Sequence, residues 1–471
     1  MTAVQIAALI ALAIISGRVS KHRPLVMLCI SALAVFWLQP PEPFLSLLFW
    51  LPFATLAITV ASWALTAAPE VRSWRQNWRA AVLLMAVAVV VDAGHYIHVG
   101  RLVLVPAPSL QMVLIVLAAL LAGTHLLLRW KSGVPVWRLL AMVAIIAAFV
   151  VLKSPDVGSW MRSRLEGLRA TGAGGAGVPL TWLGYSYLAF RLLHTIRDRQ
   201  AGRLPSVTLE EYVNYAIFFP AFTSGPIDRL ERFVQDLRTP APLCNDDWLE
   251  AGRRILLGLF KKFVIADLLA VISINDALVS RVQAGGWLWV FLYAYALRIY
   301  FDFSGYTDLA IGMGRLIGVK LPENFAAPYL KPNIGQFWNS WHMTLTQWFR
   351  AYVFNPMTRA FRSMRTPPPT WLIILVTQIT TMALIGLWHG ITWGFVVWGL
   401  WHAAGLFVHN RWNELTRSRA REWMQRPWAQ RAASAVGVFL TFNYVALGWL
   451  FFTLSSPAVA LLAMRKLFGF A

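Results

Sequence analysis

His342 and His389 are the two side chains in this sequence best suited to moving a proton. Neutral imidazole accepts a proton near pH 7 and can return it as imidazolium. His342 stands in Trp338-Asn-Ser-Trp-His342-Met-Thr-Leu-Thr-Gln-Trp-Phe-Arg350, a stretch that is aromatic, polar and cationic at once. Two readings fit it. An interfacial amphipathic helix with an aromatic belt gives such a mixture. So does an inward-facing helix with a functional His342, since a helix facing only lipid would not gather Asn339, His342 and Arg350 within about three turns.

His389 stands in Leu384-Ile-Gly-Leu-Trp388-His389-Gly-Ile-Thr-Trp-Gly394, with apolar residues on both sides. It is expected near the middle of a long hydrophobic region. Gly386, Gly390 and Gly394 recur every fourth position and are expected to line one stripe of a helix, where small residues let a neighbour approach closely. His389 borders that stripe and should face protein. A hydrogen-bonded core histidine is the plainer reading, whereas an ionisable residue within the membrane points to function. His402 follows in the same region. At about 100° per residue it would fall on the opposite face of one straight helix from His389. With no acid or cysteine close by, no metal is expected, because zinc needs three or four ligands.

Asp302, Ser304 and Asp308 lie in Phe301-Asp-Phe-Ser-Gly-Tyr-Thr-Asp308. Two intramembrane carboxylates could relay protons or bind a cation, as in an ion-coupled transporter or a polysaccharide-export component. They could equally hold an unwound segment by accepting backbone hydrogen bonds. The chain has no G-x-S-x-G elbow, which argues against a serine hydrolase.

The elements that must position these residues are membrane helices. Hydrophobic residues make up 58% of the chain and charged ones 13%, against about 25% charged in a soluble domain. Apolar runs near the length needed to cross a bilayer, about 20 residues, recur from end to end. In the first part they cover roughly 1–17, 24–40, 44–67, 79–101, 110–128 and 136–152. The first run has its basic residues, Arg18, Lys21 and Arg23, after it, the reverse of a cleavable signal. It reads as a membrane helix with its N-terminus outside. The net charge of +21 sits in short clusters between runs. That is the positive-inside pattern, which makes anionic lipid rather than nucleic acid the expected counter-charge. Asp92, His95 and His98 sit in or near the fourth run and are read as its interfacial end. Two cysteines, Cys29 and Cys244, make no disulfide framework.

Residues 153–180 form a polar interruption. Gly172, Gly174 and Gly177 there match G-x-G-x-x-G but lack the flanking strand and helix, so a loop is expected. The reading divides the chain into N-terminal transmembrane helices, 1–152, and a core, 153–471. In the core the apolar runs are shorter and broken, as at 218–226 and 301–306. Unwound backbone at membrane depth must be buried in protein or line a wet cavity, so the functional site is expected between about 180 and 410. Residues 191–203, 229–262 and 411–431 are expected in the cytoplasm, the last as an interfacial helix. Two further helices are expected at 433–452 and 457–470.

Several blocks, taken in order, resemble the membrane-bound O-acyltransferase (MBOAT) family, in particular its bacterial branch acting on alginate and teichoic acid. They are Ser186-Tyr-Leu-Ala-Phe-Arg191, Phe218-Phe-Pro220 with Ser224-Gly-Pro-Ile227, and Gly258-Leu-Phe-Lys-Lys-Phe-Val-Ile-Ala-Asp267. Then come Phe301 to Tyr306, Pro322-Glu-Asn-Phe325, Phe337-Trp338 through Trp341-His342, and Leu387-Trp-His-Gly390. Residues 301–328 read like the alginate type, while 341–354 and 389–393 read more like the D-alanyl type. Where the alginate pattern expects Pro-Leu-Gly-Gly after Phe354, this chain has Asn355-Pro-Met-Thr-Arg359.

The resemblance implies an all-α polytopic bundle of roughly 11–14 membrane helices, with re-entrant segments, around a central tunnel. It places the family's functional histidines on His342 and His389, with His389 catalytic. It implies a multi-pass protein of the cell (inner) membrane that moves a short acyl group such as acetyl onto hydroxyls of an envelope polysaccharide or an intermediate carrier. D-alanyl transfer to a teichoic-acid-like polymer is the alternative. No tightly bound cofactor is implied. The donor would be acetyl-CoA or another acyl thioester on the cytoplasmic side. A periplasmic or extracellular acyltransferase partner and the polysaccharide would stand on the outer side, with membrane lipids around. Trp338, Asn339, Arg350, Asp302, Ser304, Asn324 and Trp388 are the expected substrate or tunnel contacts.

Overall fold

The computed structural model describes residues 2–19, 22–40, 45–96, 108–129, 135–160, 181–239, 243–423 and 425–470, and every regular element among them is helical. The glycine-rich stretch at 172–177, and His98, lie outside these residues. The side chain of His95 does too. The chain divides into two compact units, one of residues 1–255 with 309–322, the other of 256–308 with 323–471.

The first unit opens with six apolar helices: α1 Ala3–Arg18, α2 Arg23–Trp37, α3 Leu45–Thr66, α4 Trp74–Tyr96, α5 Leu110–Arg129 and α6 Pro135–Lys153. Each falls on an apolar run of the sequence, because hydropathy over a bilayer's width is what a membrane selects. Their roles differ. α3 is the inner helix, with 67% of its spanning window buried, whereas α5 and α6 have 6% each and turn their apolar surface outward. Three threonines of α3 donate their hydroxyls within the helix, while Ser62 pairs with the Tyr212 hydroxyl (2.7 Å) and the Trp63 indole donates to the Val207 carbonyl (3.1 Å). Thr55 donates to the Leu51 carbonyl (3.1 Å), Thr59 to Thr55 (2.7 Å) and Thr66 to Ser62 (2.8 Å). Such back-bonding lets hydroxyls sit in an apolar helix. Asp92, expected at the interfacial end of the fourth run, is buried four residues before the end of α4.

The unit continues with α7 Tyr185–Gln200, α8 Leu209–Ala216, α9 Leu230–Arg238 and α10 Asn245–Phe260, whose last part belongs to the second unit. Arg191, expected to face the cytoplasm, is 2% exposed. Its guanidinium donates to the carbonyls of Ala216 (2.8 Å) and Ala221 (2.9 Å), holding the non-helical chain after α8. A guanidinium has five donors, so it can close two loose backbone ends at once. Next to it the Tyr215 hydroxyl donates to the Asp228 carbonyl (2.9 Å) and lies 3.2 Å from His194 Nδ1. These contacts explain why the blocks at 186–191 and 218–227 carry such specific residues.

The second unit contains α11 Gly285–Ile317, whose last part belongs to the first unit, then α12 Ile334–Trp338, α13 Met343–Phe349, α14 Asn355–Arg362, α15 Thr370–His389, α16 Trp393–Trp423, α17 Pro427–Thr453 and α18 Pro457–Leu467. Residues 301–306, read as unwound, are inside the continuous α11, which tolerates Gly305 because a Cβ there would lie 2.9 Å from the Gly258 carbonyl oxygen. The basic stretch 411–431 is the end of α16 and the start of α17, not a separate interfacial helix. Among the described residues six helices are long and apolar enough to cross a membrane: α3, α4, α5, α6, α15 and α17.

Candidate active site

His342 owes its position to backbone geometry. It is the residue before α13 and adopts the left-handed conformation, φ 41° and ψ 55°. That conformation costs a β-carbon residue about 1–2 kcal/mol, so surrounding contacts must hold it. Asn324 supplies them. Its backbone carbonyl accepts from the Met343 amide (2.9 Å), and its side-chain oxygen accepts from the Thr344 amide (3.2 Å) and hydroxyl (2.6 Å). Asn324 therefore caps α13 from a distant loop, where His342 provides no side-chain cap. The imidazole of His342 is 2% exposed and stands edge-on to Phe303, with ring centroids 4.7 Å apart.

His389 closes α15, and the chain breaks over Gly390, Ile391 and Thr392 before α16 begins. Within the apolar region where it was expected, His389 thus stands at the end of a helix. The apolar composition of the break hid it from the hydropathy pattern. The glycine stripe on one helix is corrected, because the three glycines lie on a helical hairpin. A Cβ on Gly386 of α15 would lie 2.2 Å from the Phe395 carbonyl oxygen of α16. One on Gly390 would meet the Phe395 ring at 2.6 Å, and one on Gly394 the Phe451 carbonyl oxygen at 2.7 Å. From the α16 side, Gly399 would meet the Met382 carbonyl oxygen at 2.5 Å. Close approach is real, but Gly386, Gly390 and Gly399 seal the two arms of the hairpin against each other, and Gly394 seats the hairpin on α17.

An aromatic wall surrounds the imidazole of His389: Trp388 at 4.6 Å, Phe452 at 4.7 Å, Trp398 at 5.4 Å and Phe395 at 5.9 Å between ring centroids. Trp388 also lies 5.8 Å from His342, so one indole touches both histidines. His402 joins the same neighbourhood. It is fully buried, 4.9 Å from Trp398 and 5.1 Å from Trp338. The expectation that His389 and His402 diverge rested on one straight helix. The break at 390–392 removes that premise, and both rings contact Trp398.

The other expected contacts separate into groups. Trp388 and Trp338 lie in the aromatic wall. Asn324 positions His342 through α13. Ser304 is buried in α11, one residue after Phe303. Asn339 and Arg350 are exposed and pair with each other, Arg350 donating to the Asn339 side-chain oxygen at 2.6 Å. Asp302 accepts from Lys262 (2.5 Å) and Asp308 from Lys261 (2.6 Å). Both lysines belong to a π-helical segment, Lys261–Ala266, and Arg350 opens a second one, Arg350–Phe354. Such insertions recur at functional sites. The carboxylates thus fasten the π segment to α11.

Sequence reasoning missed Phe303, Trp398 and Phe452 as neighbours of the histidines. Phe303 was visible inside the block at 301–306. Phe452 comes from α17, and no spacing rule connects it to His389.

Comparison with known proteins places this arrangement in a class. A family model described as MBOAT, membrane-bound O-acyltransferase family, matches residues 35–451. The chain belongs to the membrane-bound O-acyltransferase family, and is therefore a membrane acyltransferase. Among curated relatives it is 32% identical over 296 residues to the teichoic acid D-alanyltransferase of Streptococcus thermophilus, covering 58% of this chain and 68% of the relative. It is 31% identical over 293 residues to the probable alginate O-acetylase of Azotobacter vinelandii, covering 61% and 54%. It is 31% identical over 275 residues to the peptidoglycan O-acetyltransferase of Helicobacter pylori, covering 56% and 48%.

Proposed function

We propose that this enzyme transfers a short acyl group, acetyl in the first instance, from an acyl thioester to hydroxyls of a cell-envelope polysaccharide or an intermediate carrier. The observation that carries the reading is the placement of His342 and His389 on one indole, Trp388, inside an aromatic wall. The named activities of the relatives, on teichoic acid, alginate and peptidoglycan, support an envelope polymer as acceptor.

In this reading His389 is the general base. It takes the proton of an acceptor hydroxyl as the oxygen attacks the thioester carbonyl carbon. The carbon–sulfur bond then breaks, and the imidazolium returns the proton to the departing thiolate. His342 assists by orienting the substrate or by donating to the developing oxyanion. Aromatic walls exclude water and so protect the activated acyl group from hydrolysis. Acetyl-CoA or another acyl thioester approaches from the cytoplasmic side of the inner membrane, and an outer-side acyltransferase partner completes delivery. Trp338, Ser304 and Trp388 line the route.

The test is mass spectrometry of envelope polymers from cells carrying the wild-type chain, the His389→Gln chain or none. Acyl groups present only with the wild type support the reading, and their mass separates acetyl from D-alanyl. Identical acylation in all three strains rejects it.

A further inference from the structure

The first unit holds a second built feature, unrelated to the histidines. A cavity of about 700 Å³ lies among α3, α4 and α5, within the size range of ligand pockets. Its walls are apolar, with Phe53 and Val60 from α3, Leu84 and Ala88 from α4, and Leu117 and Leu120 from α5. Along α3 it runs from Phe53 to Trp63. At 1.5 Å per residue this is about 15 Å, the hydrocarbon depth of one bilayer leaflet.

One end of the cavity is basic. Arg72, just beyond α3, and Arg129, the last residue of α5, both line it. Arg72 belongs to a cluster of three arginines that grip consecutive carbonyls at the end of α3. Arg138 donates to Leu65 (3.3 Å), Arg199 to Thr66 (2.5 Å) and Arg72 to Ala67 (3.0 Å). A helix C-terminus carries about half a negative charge. Glu70 is the carboxylate felt by Arg199, beside the charges of Arg138 and Arg72. Three guanidiniums exceed those negative charges, and Arg129 adds another cation at the rim.

We propose that this cavity binds an anionic phospholipid, with an acyl chain along α3 and its phosphate at the arginine rim. Charge complementarity selects the headgroup, since basic pockets between membrane helices favour anionic lipid. The leaflet-deep length selects a lipid over a soluble phosphate.

The experiment is native mass spectrometry of the full chain released from membranes containing equal phosphatidylglycerol and phosphatidylcholine with matched chains. Retention of phosphatidylglycerol should exceed that of phosphatidylcholine by about fivefold, the equivalent of one rim cation at about 1 kcal/mol. Two variants locate the site. Arg129→Gln should reduce that preference several-fold. Gly123→Leu should reduce retention of both lipids, because Gly123 lines the cavity and a Cβ there meets nothing within 4 Å, so the larger side chain fills space without disturbing its helix. Thermal unfolding of both variants should match the wild type. Equal retention of the two lipids by the wild type would overturn the proposal. So would a folded Gly123→Leu chain that keeps phosphatidylglycerol, or displacement of the lipid by soluble glycerol phosphate.

Discussion

The side-chain oxygen of Asn324 accepts two hydrogen bonds from Thr344, from its amide at 3.2 Å and its hydroxyl at 2.6 Å. Losing a cap of this kind costs about 1–2 kcal/mol. Asn324→Ala should therefore unfold at lower temperature and lose acyl transfer beyond the loss of folded protein, because α13 no longer fixes His342. An Asn324→Ala chain with wild-type specific activity would show that the cap does not position the histidine.

The left-handed backbone at His342 separates its two contributions. Asparagine visits that conformation more readily than other non-glycine residues, and a β-branched residue resists it most. His342→Asn should keep near-normal stability while losing activity, and His342→Val should lose both. Comparing melting temperature with polymer acylation distinguishes the two effects.

His389→Ala and His389→Gln should both insert and accumulate normally yet lose about 10²–10⁴-fold in rate, the usual contribution of a general base. An amide can donate a hydrogen bond but takes up no proton near neutral pH. Substantial activity of His389→Gln, normalised to membrane protein, would leave His389 only a packing role.

The hairpin seam predicts damage of a different kind. Gly386→Ala forces a methyl to 2.2 Å from the Phe395 carbonyl oxygen. Overpacking costs about 1–3 kcal/mol, so this chain should be less stable in detergent although no histidine has changed. Normal thermal stability would mean that α15 and α16 part more easily than their spacing implies.

The two lysines of the π segment should differ. Asp302 is 52% exposed and Asp308 7%. Exposed pairs contribute about 0–1 kcal/mol, whereas removing one partner of a buried pair costs on the order of 3 kcal/mol. Lys261→Met should destabilise the enzyme clearly more than Lys262→Met. Equal effects in thermal unfolding would contradict this.

Much of the molecule was legible in its sequence, for identifiable reasons. The six N-terminal helices follow apolar runs because the bilayer imposes both length and composition. His342 and His389 stood out because each is an ionisable group among apolar and aromatic residues. The break at Gly390 was not legible, since Gly, Ile, Thr and Trp read as a continuing apolar helix. Arg191 misled in the opposite sense, because charge in a basic run suggests water while this guanidinium is spent on two buried carbonyls. The distribution of Asp302, Asn339 and Arg350 over ion pairs and a surface contact depended on partners that no local pattern names.

The connection from His389 to Trp393 contains only Gly390, Ile391 and Thr392. During biogenesis a turn this short offers neither arm a polar anchor of its own. α15 and α16 should therefore enter the membrane as one hairpin, with His389 carried near its tip. Changes that delay the pairing of the two arms would then lower yield before any effect on turnover could be seen.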